Sequence, residues 1–274
     1  RNDCEYPGND ILKSKSEGLT MKTLLYLLMV PVLHLYTWLL LRLNLQRGEP
    51  LPPGPRLLVA NHPTTIDPFF VAWLAGGPAC ILITEDAFKV PLFGAYLRHA
   101  GHVPVVAGRG REAFTQAQAA LEAGRTVIIF PEGDLSPREG LCQAHSGAAR
   151  LALLTGVPVI PIGIYLPWEG IRFRKALCGA QAVMSRWPVQ TPYAITVGRP
   201  LHFRGDADDR TRVAEVTETL MQHIAALAQQ SALRLRPADA RGCAPVAPEL
   251  AGQAGCSRPR AYSPGYTSPH GARS

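Results

Sequence analysis

The chain has 274 residues, with 28 basic and 21 acidic side chains and a formal net charge of +7. A composition of 47% hydrophobic and 18% charged residues excludes a wholly disordered chain and supplies enough apolar material for a buried core. Residues 51–230 carry 16 basic and 14 acidic groups, whereas residues 231–274 carry six arginines and two acids. A nucleic-acid-binding domain concentrates its basic charge on the folded part, so this distribution argues against nucleic acid as a partner.

The N-terminal region predicts a leader and a membrane anchor. Residues 1–20 are polar and are predicted to be a disordered leader. Residues 24–41 form a run of 18 residues without a charged side chain, near the lower limit for crossing a bilayer. Tyr26, Tyr36 and Trp38 within it favour a membrane interface. We interpret residues 21–47 as a membrane-anchoring segment that spans the bilayer or lies in its interface; a buried core helix is the alternative.

Strands and helices are predicted to alternate over residues 50–230. Short apolar or β-branched runs predict the strands, and periodic segments between capping and Gly signals predict the helices. The predicted strands are 56–60, 79–84, 103–106, 126–130, 157–165 and 193–197, and the predicted helices are 67–75, 91–100, 112–123, 146–155 and 211–229. This alternation predicts an α/β fold, a mixed β-sheet flanked by helices. Residues 231–274 contain six Pro and five Gly without a period and are predicted to be a disordered tail.

The cysteines and histidines indicate neither a disulfide framework nor a metal site. The six cysteines include no CxxC pair, and a chain of this size needs no disulfides. We therefore expect reduced thiols in a cytosol-like compartment. His99 and His102 have no third ligand nearby in the sequence, so no metal is expected.

One cluster of residues carries a recognisable chemistry. Asn61 and His62 directly follow the first predicted strand, and Asp67 opens the next helix. Glu132 follows the strand at 126–130, so parallel strands would bring it to the same sheet edge as His62. A neutral imidazole oriented by a carboxylate can take a proton from a hydroxyl. The alternative is that these residues have structural roles alone: Asp67 as a helix cap, His62 as a buried structural histidine and Glu132 as an acidic residue in a turn.

Four sequence blocks, in their order and spacing, resemble the glycerolipid acyltransferase family, and most closely its lysophosphatidic acid type. The blocks are Asn61-His62-x4-Asp67, Gly101-His-Val-Pro-Val105, Phe130-Pro-Glu-Gly133 and Val157-Pro-Val-Ile-Pro-Ile162. The resemblance covers residues 50–205 and implies the glycerol-phosphate acyltransferase-like fold, with an acyltransferase domain at 50–230. It implies that His62 is the general base and Asp67 its partner. It also implies an acyl thioester donor, acyl-CoA or acyl carrier protein, and no metal or other cofactor.

The acceptor is expected to be 1-acylglycerol-3-phosphate, giving phosphatidic acid. The resemblance implies that Glu132 and Gly133 hold it, and backbone N–H groups near Gly133 are expected to stabilise the oxyanion. The family usually places arginines where this chain has Ala107 and Leu135, so Arg109, Arg111 and Arg138 are predicted to bind the phosphate instead. Asp134 in the same pocket would repel a phosphate. Asn61 and Thr64 of the first block are further candidate substrate-binding residues.

Other functions stay open. Another lysophospholipid, or a lipid alcohol or amine, is the alternative acceptor. Gly108-Arg-Gly110-Arg-Glu-Ala113, with Glu132 some 24 residues after Gly108, imitates a dinucleotide fingerprint and would suit an NAD-type oxidoreductase. An inactive membrane scaffold is the third interpretation. We expect a membrane protein whose active site faces the cytoplasm, with the lysolipid and the acyl thioester as its partners.

Overall fold

The computed structural model describes residues 20–178 and 181–236. The seven helices are α1 (Met21–Leu40), α2 (Asp67–Leu74), α3 (Glu85–Lys89), α4 (Phe93–Ala100), α5 (Gly110–Glu122), α6 (Gly147–Thr155) and α7 (Arg210–Leu235) in this part of the chain. The nine strands there are β1 (Leu41–Arg47), β2 (Arg56–Ala60), β3 (Ala79–Thr84), β4 (Val103–Val105), β5 (Thr126–Ile129), β6 (Val159–Tyr165), β7 (Ile171–Cys178), β8 (Gln181–Pro188) and β9 (Thr191–Val197).

Seven strands form one mixed sheet in the order β1-β9-β6-β2-β5-β3-β4. All neighbours in it run parallel except β6 and β9, which pair antiparallel. The strands at the centre are apolar on both faces because helices cover both sides of the sheet. The structure therefore confirms the predicted α/β class, and the parallel pairing of β2 with β5 meets the condition for Glu132 and His62 to share one sheet edge.

The sheet separates two apolar cores, and β2 shows how the sequence divides between them. Leu58 and Ala60 face one core, together with α2 and the inner side of α1. Leu57 and Val59 face the other, together with α5, α6 and α7. Successive side chains of a strand point to opposite faces, so this five-residue run contributes to both cores. Burial on both faces fixes the end of β2, where His62 follows.

Helix α1 is apolar on both its buried and its exposed sides. Tyr26, Leu33 and Thr37 are buried against the domain. The opposite side exposes Met21, Leu24, Leu27, Leu28, Val32, Leu35, Trp38 and Leu39. By length and composition α1 could cross a membrane, although core helices and signal sequences share these properties.

The predicted anchor differs from the structure at its end. Residues 41–47 form β1, which pairs in parallel with β9 at the edge of the sheet. The alternating sequence Leu-Arg-Leu-Asn-Leu-Gln-Arg has the period of a half-buried strand, which explains this pairing. The apolar helix thus ends at Leu40 and leads directly into the domain.

The sequence predicted a disordered leader, a disordered tail and reduced cysteines. The predicted leader and tail lie outside the described residues, apart from Thr20 and residues 231–236, and residues 231–235 complete α7. Cys80 is a buried free thiol, as expected. Cys142 is disulfide-bonded, so the expectation of reduced thiols is wrong for this residue.

Candidate active site

His62 and Asp67 form a hydrogen-bonded pair just beyond the carboxyl end of β2. His62 Nδ1 lies 3.0 Å from Asp67 Oδ2. The Asp67 side chain is fully buried, and that of His62 is 18% exposed. A carboxylate only accepts, so Nδ1 carries the proton and Nε2 is left as the basic nitrogen. Within the described residues no hydrogen-bond partner occupies Nε2, so it is available to a substrate hydroxyl.

Asp67 does not serve as the cap of its own helix. The residue before α2 is Ile66, whose side chain makes no cap hydrogen bond, and Asp67 is the first helical residue. Its Oδ2 atom instead accepts a hydrogen bond from the Thr64 backbone N–H at 2.6 Å. The interpretation of Asp67 as a cap alone is therefore wrong, because its carboxylate faces the His62 loop.

The second oxygen of Asp67 has two hydroxyl partners. Tyr193, on β9, donates its OH to Oδ1 at 2.5 Å, and Thr64 Oγ1 donates to the same atom. Burial raises the pKa of Tyr193 well above its usual value, and the nearby Asp67 charge raises it further, so the phenol stays a donor. Tyr193 was not identified as a site residue from the sequence, because the sequence shows it only as part of a predicted apolar strand.

Glu132 joins the two loops of the site. Its Oε1 accepts from the His62 backbone N–H at 3.2 Å and from Ser136 Oγ at 2.5 Å. Its Oε2 accepts from the Cys142 backbone N–H at 2.7 Å. Burial raises the pKa of the Glu132 carboxyl, while these donors lower it. The carboxylate thus holds the His62 loop against the loop that follows β5, and Ser136 N–H, donating to His62 O at 2.8 Å, adds a further link.

Gly133 lies at the turn after Glu132 in the left-handed region, with φ of +68°. A Cβ atom there would lie 2.8 Å from Cδ2 of the His145 ring, so a larger residue would be both strained and crowded. The Gly133 N–H donates to Phe130 O at 3.1 Å. This donor is therefore already used, and the expected oxyanion role does not fit the Gly133 N–H itself.

Two candidate substrate-binding residues of the first block are engaged within the protein. The Asn61 side chain donates to Ile164 O at 2.9 Å and accepts from Ile164 N–H at 2.7 Å. This pair of bonds clamps the end of β2 to β6. Thr64 is fully buried and directs its hydroxyl to Asp67. Both side chains support the geometry of the His62–Asp67 pair.

The structure pairs two of the arginines predicted to bind a phosphate with exposed acids and places the third at a separate cavity. Arg109 is 67% exposed and lies 3.8 Å from Glu112, and Arg138 is 61% exposed and lies 3.2 Å from Glu169. Arg111 lines an open cavity of about 540 Å³ formed by α5, α6 and the loop at 205–208. Arg138 lies on the loop that follows β5, but in the described part of the chain none of the three has a hydrogen bond or ion pair with His62, Asp67 or Glu132.

A fourth arginine, Arg186, contacts both loops. It lies on β8, and its Nη1 atom donates to Ser136 O at 2.5 Å and more weakly to Pro63 O at 3.5 Å. Its guanidinium stacks over the Trp168 ring, 5.0 Å from the centroid. Arg186 could not be predicted as a site residue from the sequence, because its position depends on the pairing of β7 with β8.

The dinucleotide interpretation does not fit the sheet. The strand before Gly108 is β4, an edge strand that pairs with β3 alone in the described sheet. The acid that imitated the ribose-binding residue, Glu132, is committed to the His62 and Cys142 backbone. Among the described side chains, which exclude those of residues 176–183, no group of three or more His, Cys, Asp or Glu is placed to hold a metal ion.

Comparison with known proteins agrees with this geometry. The family model described as Acyltransferase matches residues 42–165. The match covers slightly less than half of the chain. The matched residues contain the His62–Asp67 pair, Glu132 and the four sequence blocks, and so support the resemblance that those blocks indicated.

Curated relatives and a solved structure support the family and the fold. A 1-acyl-sn-glycerol-3-phosphate acyltransferase of Limnanthes alba is 29% identical over 125 residues, covering 43% of this chain and 44% of the relative. A lyso-ornithine lipid O-acyltransferase of Pseudomonas aeruginosa is 32% identical over 122 residues, covering 44% and 46%. The crystal structure of the acyltransferase PlsC from Thermotoga maritima matches with a TM-score of 0.56 at 19% identity, covering 80% of this chain and 83% of that one. The chain thus spans less than half the length of these two curated relatives.

Proposed function

We propose that the protein is an O-acyltransferase that moves a fatty acyl group from an acyl thioester to a hydroxyl of a lysolipid. The observation that carries the proposal is the His62–Asp67 pair with Nε2 of His62 unoccupied at the sheet edge. Nε2 takes the proton of the acceptor hydroxyl as its oxygen attacks the thioester carbonyl. The tetrahedral intermediate then expels the thiolate, which takes the proton back from His62, leaving an ester and a free thiol.

The proposed donor is acyl-CoA or acyl carrier protein, as expected of the family. A thioester is already activated, so the chemistry needs no protein nucleophile and no cofactor. Asp67 stabilises the imidazolium that forms during attack. Its four donors, from His62, Thr64 and Tyr193, fix the orientation of the carboxylate and hence of the ring.

The proposed acceptor is 1-acylglycerol-3-phosphate, the substrate in the names of several relatives. A second candidate is a lysolipid with a different headgroup. Ala107 and Leu135 stand where arginines are usual, and Asp134 adds a negative charge beside them. The similarity to a lyso-ornithine lipid O-acyltransferase supports this second candidate.

We propose that α1 holds the domain at the membrane, where a lysolipid resides. Its exposed side presents leucines and Trp38 while its other side packs on the domain, which suits a helix lying in the interface. The active site is proposed to face the cytoplasm, where both thioester donors are made. A Glu218→Cys variant on an exposed position of α7 should react with an impermeant thiol reagent only after the cells are broken.

The test is acyl transfer by the detergent-purified full chain, using labelled acyl-CoA and a panel of acceptors. The panel contains lysophosphatidic acid, lyso-ornithine lipid, lysophosphatidylcholine and monoacylglycerol. Labelled phosphatidic acid is the expected product. Product with another acceptor alone would move the protein to the second candidate, and no product with any acceptor from folded protein would overturn the proposal.

A further inference from the structure

The β7–β8 hairpin is docked onto the catalytic loop through its backbone. The Arg186 N–H donates to Thr65 Oγ1 at 2.9 Å, and the Thr65 N–H donates to Arg186 O at 3.0 Å. Thr65 lies three residues after His62 and two before Asp67. The hairpin position therefore fixes the Arg186 side chain relative to the His62–Asp67 pair.

One edge of the Arg186 guanidinium donates hydrogen bonds to the protein, and another edge donates none among the described residues. Nη1 makes the bonds to Ser136 O and Pro63 O, and the ring of Trp168 supports one face of the group. Nε and Nη2 have no hydrogen-bond partner among the described residues, and neither is a buried unpaired atom. These two N–H groups lie side by side on a guanidinium and point the same way, which is the fork that binds two oxygens of a phosphate or carboxylate.

The electrostatic surroundings distinguish Arg186 from the arginines that the sequence suggested. Burial lowers the pKa of Arg186. The negative charges of Asp134, Asp67 and Glu132 oppose this effect and raise the pKa. Arg109 and Arg138 are instead more than half exposed and paired with acids of their own. A cation that is half-buried and fixed by two loops binds an anion with less loss of side-chain entropy than a solvated one.

We propose that Arg186 binds the anionic group of the acceptor headgroup through Nε and Nη2, while the acceptor hydroxyl meets Nε2 of His62. The inference rests on the proposed function and deepens it, because it makes Arg186 a residue that selects acidic lysolipids. The bound group is a phosphomonoester or a carboxylate, two anions that the same fork accepts. Arg186 thereby takes the role that the sequence assigned to Arg109, Arg111 and Arg138.

The test compares acceptors that differ in charge. Arg186→Gln and Arg186→Lys are assayed with lysophosphatidic acid, lyso-ornithine lipid and neutral monoacylglycerol at equal mole fractions in nonionic micelles. Arg172→Gln, on the exposed part of β7, is the matched control. Arg186→Gln should raise KM for the anionic acceptor about tenfold or more, the effect of losing a charge-assisted hydrogen-bond pair. Turnover of monoacylglycerol by Arg186→Gln should fall by a clearly smaller factor, because only the bonds to Ser136 O and Pro63 O are lost with that acceptor. The Arg172→Gln control should match the wild type with every acceptor, and Arg186→Lys should be intermediate.

The outcomes separate an anion-binding role from a purely structural one. A larger effect on lysophosphatidic acid identifies a phosphate, and a larger effect on lyso-ornithine lipid identifies a carboxylate; both support the proposal. An equal loss with neutral and anionic acceptors would overturn it, because Arg186 would then only hold the loops together.

A binding measurement decides the matter independently of acyl transfer. Glycerol 3-phosphate and ornithine are titrated into the full-length wild type, Arg186→Lys, Arg186→Gln and His62→Ala. One of the two ligands should bind the wild type and His62→Ala alike, and bind Arg186→Gln at least about tenfold more weakly. Equal binding by Arg186→Gln, or no binding of either ligand by the wild type, would overturn the proposal even if acyl transfer is confirmed. Absence of all acyl transfer with intact Arg186-dependent binding would instead overturn the proposed function alone.

Discussion

At the scale of single residues, the site is built around a carboxylate rather than around the histidine. Asp67 is fully buried and accepts hydrogen bonds from His62, Tyr193 and Thr64. The sequence predicts His62, Asp67 and Glu132 because each lies at the boundary of a clearly delimited strand or helix, within blocks that resemble the acyltransferase family. It does not predict Tyr193 or Arg186, because both come from strands distant in the chain and only the sheet order brings them close.

Tyr193→Phe should slow the proposed reaction without weakening substrate binding. The change removes one hydrogen bond to Asp67, worth about 1 kcal/mol net, so kcat should fall roughly fivefold while KM stays unchanged. Steady-state kinetics with varied acceptor would measure both. Tyr36→Phe is the matched control, since it removes a tyrosine hydroxyl bond to Pro188 O but none to Asp67. An equal effect of both variants on kcat would contradict a special role for Tyr193.

His102 should make the folded chain sensitive to acid. Burial lowers the pKa of His102 from 6.5 to about 4, with Arg125 adding to the effect. The unfolded chain therefore binds more protons between these values, and the free energy of unfolding falls as the pH drops from 6.5 to 4. The contribution is on the order of 3 kcal/mol over that window.

His102→Asn should remove this part of the pH dependence. Denaturant unfolding at pH 7 and at pH 4.5 would show a smaller loss for the variant than for the wild type. His223→Asn, at an exposed position of α7, is the control and should behave as the wild type does. Parallel losses in all three proteins would show that His102 is not the responsible group.

At the scale of elements, the parallel strands and the helices on them are the most predictable part of the molecule. The strands at 56–60 and 79–84 have the predicted bounds, because each is a short apolar run between turn residues. Residues 41–47 were not predicted as a strand, since the alternation there directly follows the apolar helix. The β7–β8 hairpin was also missed, because the alternation of apolar and charged residues that begins at Ile171 stops at Lys175 and is too short to distinguish a strand from an exposed loop.

Gly163 should be essential for packing α7 on the sheet. A Cβ on this residue would lie 2.0 Å from the Ala228 backbone N, so the helix would have to move away from β6. Gly163→Ala should therefore lower the free energy of unfolding by about 1–3 kcal/mol or more, as overpacking does. Gly147→Ala is the control, because its Cβ would meet nothing within 4 Å. Denaturant unfolding curves in which both variants match the wild type would contradict this packing.

At the scale of the whole molecule, the exposed apolar side of α1 is the surface that we propose contacts the membrane. Val32, Leu35 and Trp38 are 65%, 55% and 79% exposed. Exposed apolar groups this close together are costly in water and favourable in a membrane interface. The helix continues directly into β1, so it is joined to the edge of the sheet without a linker.

The triple variant Val32→Ser, Leu35→Ser, Trp38→Ser should bind membranes more weakly while keeping its fold. We expect at least about a tenfold lower partition into phosphatidylcholine vesicles, because three apolar side chains no longer leave water on binding. Co-sedimentation measures the partition, and unfolding curves check the fold. Leu154→Ser, an exposed apolar position on α6, should bind as the wild type does. Unchanged binding of the triple variant would exclude this side of α1 as the attachment surface.

The most direct test of the catalytic proposal is the turnover of His62→Ala beside that of the wild type. Both are assayed for acyl transfer to the acceptor that the wild type prefers, with His99→Ala, an exposed histidine on α4, as the control. Loss of a general base should lower kcat by about 10²–10⁴ while the unfolding curve shows an intact fold. A folded His62→Ala protein that transfers the acyl group at nearly the wild-type rate would contradict the catalytic role of the His62–Asp67 pair.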